Sequence, residues 1–444
     1  MSSPREPQRV GIIGAGYVGL PTAAVLARFG HCVVCAERDE ARYSLLVAGR
    51  MPIVEEGLAE LVREGVEAGR LRFVRDELEA VEGASFVFLC VQTPERPDGS
   101  ADLSFVEAVA GRIGPHLSPG AIVVNKSTVP VGTALLVEQV TGRSDIVVVS
   151  NPEFLREGTA VRDSLHPDRV VVGADDRRAA TLVAELFAAT GAPRIVTDTV
   201  TAETIKYASN AFLATKLSFV NALAGLCESV GADVRDVILG LGYDRRVGFE
   251  FLRPGPGWGG SCLPKDTIAL IRIAESAGYD FALLRAAIEA NDEQRERIVR
   301  KIVDAASPGG DSAGAVVGVW GLAFKAGTDD RRRSPAVAIA RRLVDLGATV
   351  RAFDPTVQVP ATGPSAEAAN PPDLVGMTLC PDPYEAARGA QVVALLTEWD
   401  ELRGLDFAKV KELMGRPAIV DARNLLDPAA LRRVGFTYTG VGRP

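Results

Sequence analysis

Histidine is nearly missing from this 444-residue chain, which has only His31, His116 and His166. No second cysteine or histidine pair accompanies Cys32-x-x-Cys35, so the sequence offers no zinc-ligand pattern and no metal is expected. Those two cysteines fall in an apolar run that reads as a strand, where positions three apart point to opposite faces. They are therefore not a redox pair either. The six cysteines, Cys32, Cys35, Cys90, Cys227, Cys262 and Cys380, are too sparse and irregular for a disulfide framework, and a reduced, cytoplasmic setting follows. Apart from Cys262, they read as small buried hydrophobes. No uninterrupted apolar run is long enough to cross a bilayer, and Met1 to Arg9 is short and polar, unlike a secretory leader. Basic residues are not in excess either. Lys+Arg 49 against Asp+Glu 57 gives a net charge of −8, which argues against nucleic-acid partners while permitting a local basic cleft for a small anion.

What is present is the material of several cores. A hydrophobic content of 47% with 24% charged residues excludes intrinsic disorder. At roughly 150 residues per domain, the length suggests about three domains, or two with a linking segment. The runs Val10–Ile13, Cys32–Ala36, Phe86–Val91, Ala121–Val124 and Ile146–Val149 read as buried strands, with helices such as Tyr17–Phe29 and Ser104–His116 between them. That alternation predicts a parallel sheet covered on both faces. From Thr201 the texture changes to one long helical pattern, Thr201–Val230, followed by helices over Asp266–Ala277 and Phe281–Ala305. After the breaker cluster Ser307-Pro308-Gly309-Gly310 the β/α rhythm returns at Ala315–Val319, Ser334–Leu346, Thr349–Phe353, Val392–Leu396 and Ala418–Val420. The expected plan is an α/β sheet domain over 1–200, a helical middle over 201–306 that could pair chains, and a second sheet domain over 307–444.

Four motifs carry chemistry. Gly14-Ala15-Gly16-Tyr17-Val18-Gly19 follows a strand and opens a helix. Its first glycine permits a tight turn, the second lets a pyrophosphate approach, and the third lets helix pack on strand. Glu37 ends the next strand and can accept hydrogen bonds from a ribose diol, which favours NAD over NADP, although Arg38 beside it could accommodate a 2′-phosphate. The second motif, Pro254-Gly255-Pro256-Gly257-Trp258-Gly259-Gly260-Ser261-Cys262-Leu263-Pro264-Lys265-Asp266, is glycine-rich and so lets a backbone come close to a ligand. Cys262 ends it beside charged residues and a helix start, the setting of a usable thiolate. Lys206 and Asn210 form the third, one turn apart on one helix face. The fourth is Asn151-Pro152-Glu153-Phe154-Leu155-Arg156-Glu157-Gly158, at the carboxyl edge of the first sheet, where Lys126-Ser127-Thr128 also ends a strand.

Together these blocks, with GLAFKAGTDD and the tail GFTYTGVGRP, resemble the UDP-glucose/GDP-mannose dehydrogenase family over nearly the whole chain. The resemblance implies two Rossmann-like parallel-sheet domains joined by a central helical region. It implies a four-electron oxidation of a sugar-nucleotide C6 alcohol to a carboxylate, with two NAD+ in succession and a homodimer paired through the central helix. The tail blocks favour UDP-glucose over GDP-mannose; a catalytically silent sugar-nucleotide or NAD sensor is the reading from another class. Cys262 would form a thiohemiacetal and then a thioester, Lys206 would stabilise the C6 oxyanion, and Asp266 would hold or deprotonate a water. Asn210, Thr128 and Glu153 complete that polar cluster. Glu153, Phe154, Leu155, Arg156 and Glu157, with Phe251, Leu252, Arg253, Pro254 and Gly255, match the segments that cradle the substrate. By the same resemblance Gly259, Lys325, Lys206 and Asn210 would touch it too, and Arg246 matches an arginine that reaches a neighbouring subunit's substrate. Val18, Glu37, Arg42, Thr93, Thr128, Glu157, Lys265 and Arg332 match cofactor contacts, beside Gly14, Gly16 and Gly19. The chain departs from the family pattern at Glu37 (usually Asp), Gln92 (often Gly), Arg333 (usually acidic) and Ala422 (usually Gly).

Overall fold

The computed structural model describes residues 6–309, 313–359 and 371–443, so Gly310 of the breaker cluster lies outside it. The chain forms two compact units, one running to Ser209 and including Ile268–Gly278, the other holding Asn210–Thr267 and everything from Tyr279.

In the first unit eight strands form one sheet: β1 (Arg9–Ile13), β2 (Cys32–Ala36), β3 (Leu71–Val74), β4 (Phe86–Leu89), β5 (Ile122–Asn125), β6 (Val147–Ser150), β7 (Val170–Gly173) and β8 (Arg194–Thr197). Their order is β3-β2-β1-β4-β5-β6-β7-β8. The central strands are valine-rich and buried on both faces, as helix-covered parallel strands must be. The sheet departs from the all-parallel expectation once, where β6 meets β7 antiparallel through Ser150 and Gly173. The link between them carries only the short helix Ala160–Leu165. β4 also stops at Leu89 instead of Val91, because the Val91 carbonyl accepts from Ser127 Oγ at 2.6 Å. Cys32 is exposed at the start of β2, contrary to its reading as a buried hydrophobe, while Cys35 is buried on the opposite face.

In the second unit β9 (Val316–Trp320), β10 (Thr349–Phe353), β11 (Met377–Leu379), β12 (Val392–Leu395), β13 (Ala418–Asp421) and β14 (Thr437–Thr439) pair in the order β11-β10-β9-β12-β13-β14, all parallel. This is the 3-2-1-4-5-6 order of a dinucleotide-type fold, the same that opens the first sheet. Asp354, at the end of β10, occupies the position that Glu37 holds after β2. Its carboxylate accepts from Leu322 N (2.7 Å), Ala323 N (2.9 Å), Thr356 N (2.9 Å), Thr356 Oγ1 (2.6 Å) and Trp399 Nε1 (3.1 Å).

The long helix spans Thr199–Val230. By length and composition it could cross a membrane. Its polar residues are nevertheless engaged by protein, as buried polar groups must be: buried Glu203 accepts from Gly132 N and Ser150 Oγ, each at 2.8 Å.

Candidate functional site

In the first unit the glycine turn fits a dinucleotide. Gly14 has φ +98°, and a Cβ there would meet the Cys90 carbonyl at 2.6 Å. A Cβ on Gly19 would lie 1.8 Å from the Gly14 carbonyl, so this glycine is demanded by helix–turn packing. At Gly16 a Cβ meets nothing within 4 Å, the open approach that a pyrophosphate requires. Glu37 Oε1 accepts from Asp39 N at 2.9 Å and Oε2 from Ala15 N at 3.3 Å, with Arg42 Nε 3.9 Å away. Two hydrogen bonds leave the carboxylate with acceptor capacity for a ribose diol. Arg38 is exposed. Thr93 Oγ1 donates to the Thr128 carbonyl at 2.9 Å, tying two of the predicted cofactor residues together.

The loop after β6 carries Glu153, which is buried and bonded to Lys206 Nζ at 2.8 Å; Lys206 is buried too. Leu155 N donates to the other Glu153 oxygen at 2.6 Å. Burial opposes the Glu153 charge, but the Lys206 ammonium and its hydrogen bond, with the Leu155 amide and Lys126, hold the carboxyl below its ordinary value. Lys206 Nζ also stands 5.6 Å from the Phe154 ring centroid. Arg156 is turned away from this pair, forked onto Asp163 at 2.6 and 3.0 Å. Glu157 is half-buried.

Sequence reasoning passed over Lys126 as a site residue. Its Nζ donates to Asn151 Oδ1 at 2.9 Å and lies 5.0 Å from the Phe187 ring. Burial pushes its ammonium down to about 8, partly offset by Cys90 and Glu153. The same burial pushes the Cys90 thiol up to about 12. The available signal was its place at the end of β5, on the edge where ligands bind.

In the second unit Cys262 is half-buried immediately before the helix Leu263–Ser276. That helix begins three residues earlier than the sequence suggested, because Pro264 is tolerated in a first turn and the Cys262 carbonyl accepts from Asp266 N at 2.9 Å. The thiol therefore stands at the positive end of a helix, which favours its thiolate. Asp266 is 1% exposed. Its Oδ2 accepts from Asn210 Nδ2 at 2.6 Å, and Oδ1 lies 3.1 Å from Lys265 Nζ.

The glycine loop ahead of Cys262 is shaped by protein contacts more than the sequence reading supposed. A Cβ would strike Asn291 at Gly257, the Arg333 carbonyl at Gly259 and the Phe324 ring at Gly260, all at 2.9 Å or less. Gly255 N donates to Asn221 Oδ1 at 2.8 Å and its carbonyl accepts from Gln294 Nε2 at 2.7 Å. Asn291 grips both backbone groups of Trp258, at 2.7 and 3.0 Å. Phe251 adopts a left-handed φ of 60°, a strained conformation for an aromatic residue. Leu252 and Pro254 are buried and Arg253 exposed.

The remaining predicted residues lie elsewhere in this unit. Arg246 is exposed and paired with Asp244. Arg332 is forked onto Asp330 at 2.8 to 3.0 Å. Lys325 Nζ is 5.6 Å from the Phe324 ring. Arg423, next to the Ala422 departure, donates to the Phe324 and Leu396 carbonyls at 2.7 and 2.9 Å.

Comparison with known proteins agrees with this arrangement. Models of the UDP-glucose/GDP-mannose dehydrogenase family match in three parts: the NAD binding domain over residues 8–190, the central domain over 200–293 and the UDP binding domain over 318–428. The UDP-glucose 6-dehydrogenase of Rhizobium meliloti is 44% identical over 98% of this chain and 100% of its own. The UDP-glucose 6-dehydrogenase TuaD of Bacillus subtilis is 43% identical over 98% of this chain and 94% of its own. The solved UDP-glucose dehydrogenase of Pyrobaculum islandicum superposes with a TM-score of 0.88 at 37% identity, each chain fully covered. With its NAD-type turn, its two sheets and these full-length likenesses, the chain belongs to the UDP-glucose/GDP-mannose dehydrogenase family.

Proposed function

We propose that this chain oxidises the C6 alcohol of UDP-glucose to the carboxylate of UDP-glucuronate through a covalent cysteine intermediate. The observation that carries the chemistry is the position of Cys262, half-buried at a helix start one turn before the buried Asp266–Asn210 pair. Similarity at 43–44% to UDP-glucose 6-dehydrogenases supports UDP-glucose over GDP-mannose.

Gly14, Gly16, Gly19 and Glu37 hold NAD, with Val18, Arg42, Thr93, Thr128, Glu157, Lys265 and Arg332 proposed as further contacts. Bound NAD+ supplies the acceptor for each hydride. The chain's own residues do the rest. Lys206 presents its ammonium to the C6 oxygen as negative charge develops. The Cys262 thiolate adds to the aldehyde carbon, so the intermediate cannot escape, and the resulting thiohemiacetal again has a C–H bond to lose. Its oxidised form is a thioester. Asp266, oriented by Asn210, then holds the water that breaks the C–S bond, releasing the carboxylate and the thiol. Glu153–Glu157, Phe251–Gly255, Gly259 and Lys325 cradle the sugar nucleotide.

We further propose three domains over 1–200, 201–306 and 307–444, a reducing cytoplasmic setting, and a homodimer paired through the long helix, with Arg246 reaching the neighbour's substrate. The pairing surface is supported by Phe212, Phe219 and Leu226, exposed apolar residues seven apart, with Val230 one turn on. None of the six cysteines forms a disulfide, which is compatible with a reducing compartment.

Mixing the protein with UDP-glucose and NAD+ should release NADH, and Cys262→Ser should abolish the full four-electron turnover. Equal turnover by both proteins would overturn the covalent mechanism; no turnover by either would favour the sensor.

A further inference from the structure

Arg169, just before β7, is used by none of the steps above. Its guanidinium carbon lies 3.6 Å from the Phe154 ring centroid, a close face-on stack. One of its amino groups donates to Ser209 Oγ at 3.3 Å. The Ser209 hydroxyl spends its own proton on the Ile205 carbonyl at 2.7 Å, so its oxygen is available as an acceptor. Phe154 is the residue between Glu153 and Leu155, whose side chain and amide are bonded to each other. Residues 151–156 have no regular secondary structure. The planar cation therefore grips an irregular loop with one face and the long helix with one edge. The helix grip falls within a turn of Lys206, and the loop grip is adjacent to its partner Glu153.

We infer that Arg169 is a positioning residue, which holds the loop bearing Glu153 in register with the helical turn bearing Lys206. The inference rests on the reaction proposed above, in which Lys206 must meet a developing oxyanion. None of the substrate or cofactor contacts proposed above involves Arg169, which stacks on Phe154 and donates to Ser209. Lysine is not equivalent, because only a guanidinium can stack flat while donating in its plane.

The test is a double-mutant cycle with Arg169→Met and Phe154→Leu, followed by NADH formation from UDP-glucose and by thermal unfolding. Each single variant should lower kcat about tenfold, with KM for NAD+ unchanged, since small displacements of a reacting group are costly. The double variant should be no worse than the poorer single one, because both break the same contact. Arg169→Lys should recover only part of the loss, and it carries the test if Arg169→Met does not fold. A wild-type kcat in Arg169→Met, full rescue by lysine, or additive losses would overturn the clamp. No turnover by the wild-type protein would instead refute the reaction on which the inference rests.

Discussion

Asn210 donates to the Asp266 carboxylate at 2.6 Å, joining the long helix to the first turn of the helix that Cys262 precedes. Asp266 is 1% exposed, so its acceptor oxygens are satisfied by protein groups or carry a penalty. Asn210→Ala removes one donor. It should cost about 2 kcal/mol of stability and slow NADH formation about 100-fold through loss of an oriented acid–base group. Stability by denaturant unfolding and kcat with UDP-glucose check the two effects; an unchanged kcat would remove Asn210 from the polar cluster.

Glu153 and Lys206 form a buried ion pair, and replacing Glu153 removes the carboxylate that faces the buried Lys206 ammonium at 2.8 Å. Glu153→Gln should cost about 3 kcal/mol at neutral pH. The carboxyl lies below its ordinary value of 4.5. Its contribution is therefore complete above that value and is lost as the pH falls through the lower native value. Wild-type melting temperature should drop more steeply than that of Glu153→Gln in this acid window, and the two curves should converge at its lower end. Parallel curves would contradict the pair's assigned role.

The second and third glycines of the turn should fail differently when replaced by alanine. Gly19→Ala forces a Cβ to within 1.8 Å of a backbone carbonyl, and should cost more than about 3 kcal/mol as an overpacked contact. Gly16→Ala meets no protein atom within 4 Å. It should melt like the wild-type protein yet bind NAD+ at least about tenfold more weakly. Calorimetric titration of NAD+ against the Gly16→Ala protein separates these effects.

Thiol reactivity should sort the cysteines by environment. At pH 8, iodoacetamide should modify exposed Cys32 and half-buried Cys262. Burial raises the Cys35, Cys90 and Cys380 thiols, and Cys227 is buried as well. Peptide mapping against residual activity should show turnover falling with Cys262 labelling and indifferent to Cys32.

The parts of this molecule that sequence revealed are those whose reasons are local. The glycine turn is one, since Gly14 and Gly19 answer to backbone one strand or a few positions away. Edge strands are another matter. β3 and β8 border the first sheet, β11 and β14 the second, and their patterns are only partly buried. A short strand with one wet face lacks the continuous apolar run that marks a central one. The Cys262 loop was visible by composition, but its support was not. Asn221, Asn291 and Gln294 reach it from 33 to 39 residues away, and a polar residue on a helix gives no sign of the loop it will hold. Composition also could not separate glycines needed for ligand approach from those needed for packing. In this loop the contacts at Gly257, Gly259 and Gly260 are with protein.

Five donors already converge on Asp354, and five exceeds the roughly four lone pairs a carboxylate can offer. The twin sheets thus share a strand order while differing at the ribose anchor: a second adenosine arriving at β10 would find Asp354 already saturated. Titration of NAD+ should therefore return one dinucleotide per polypeptide, and two would contradict a closed β10 end.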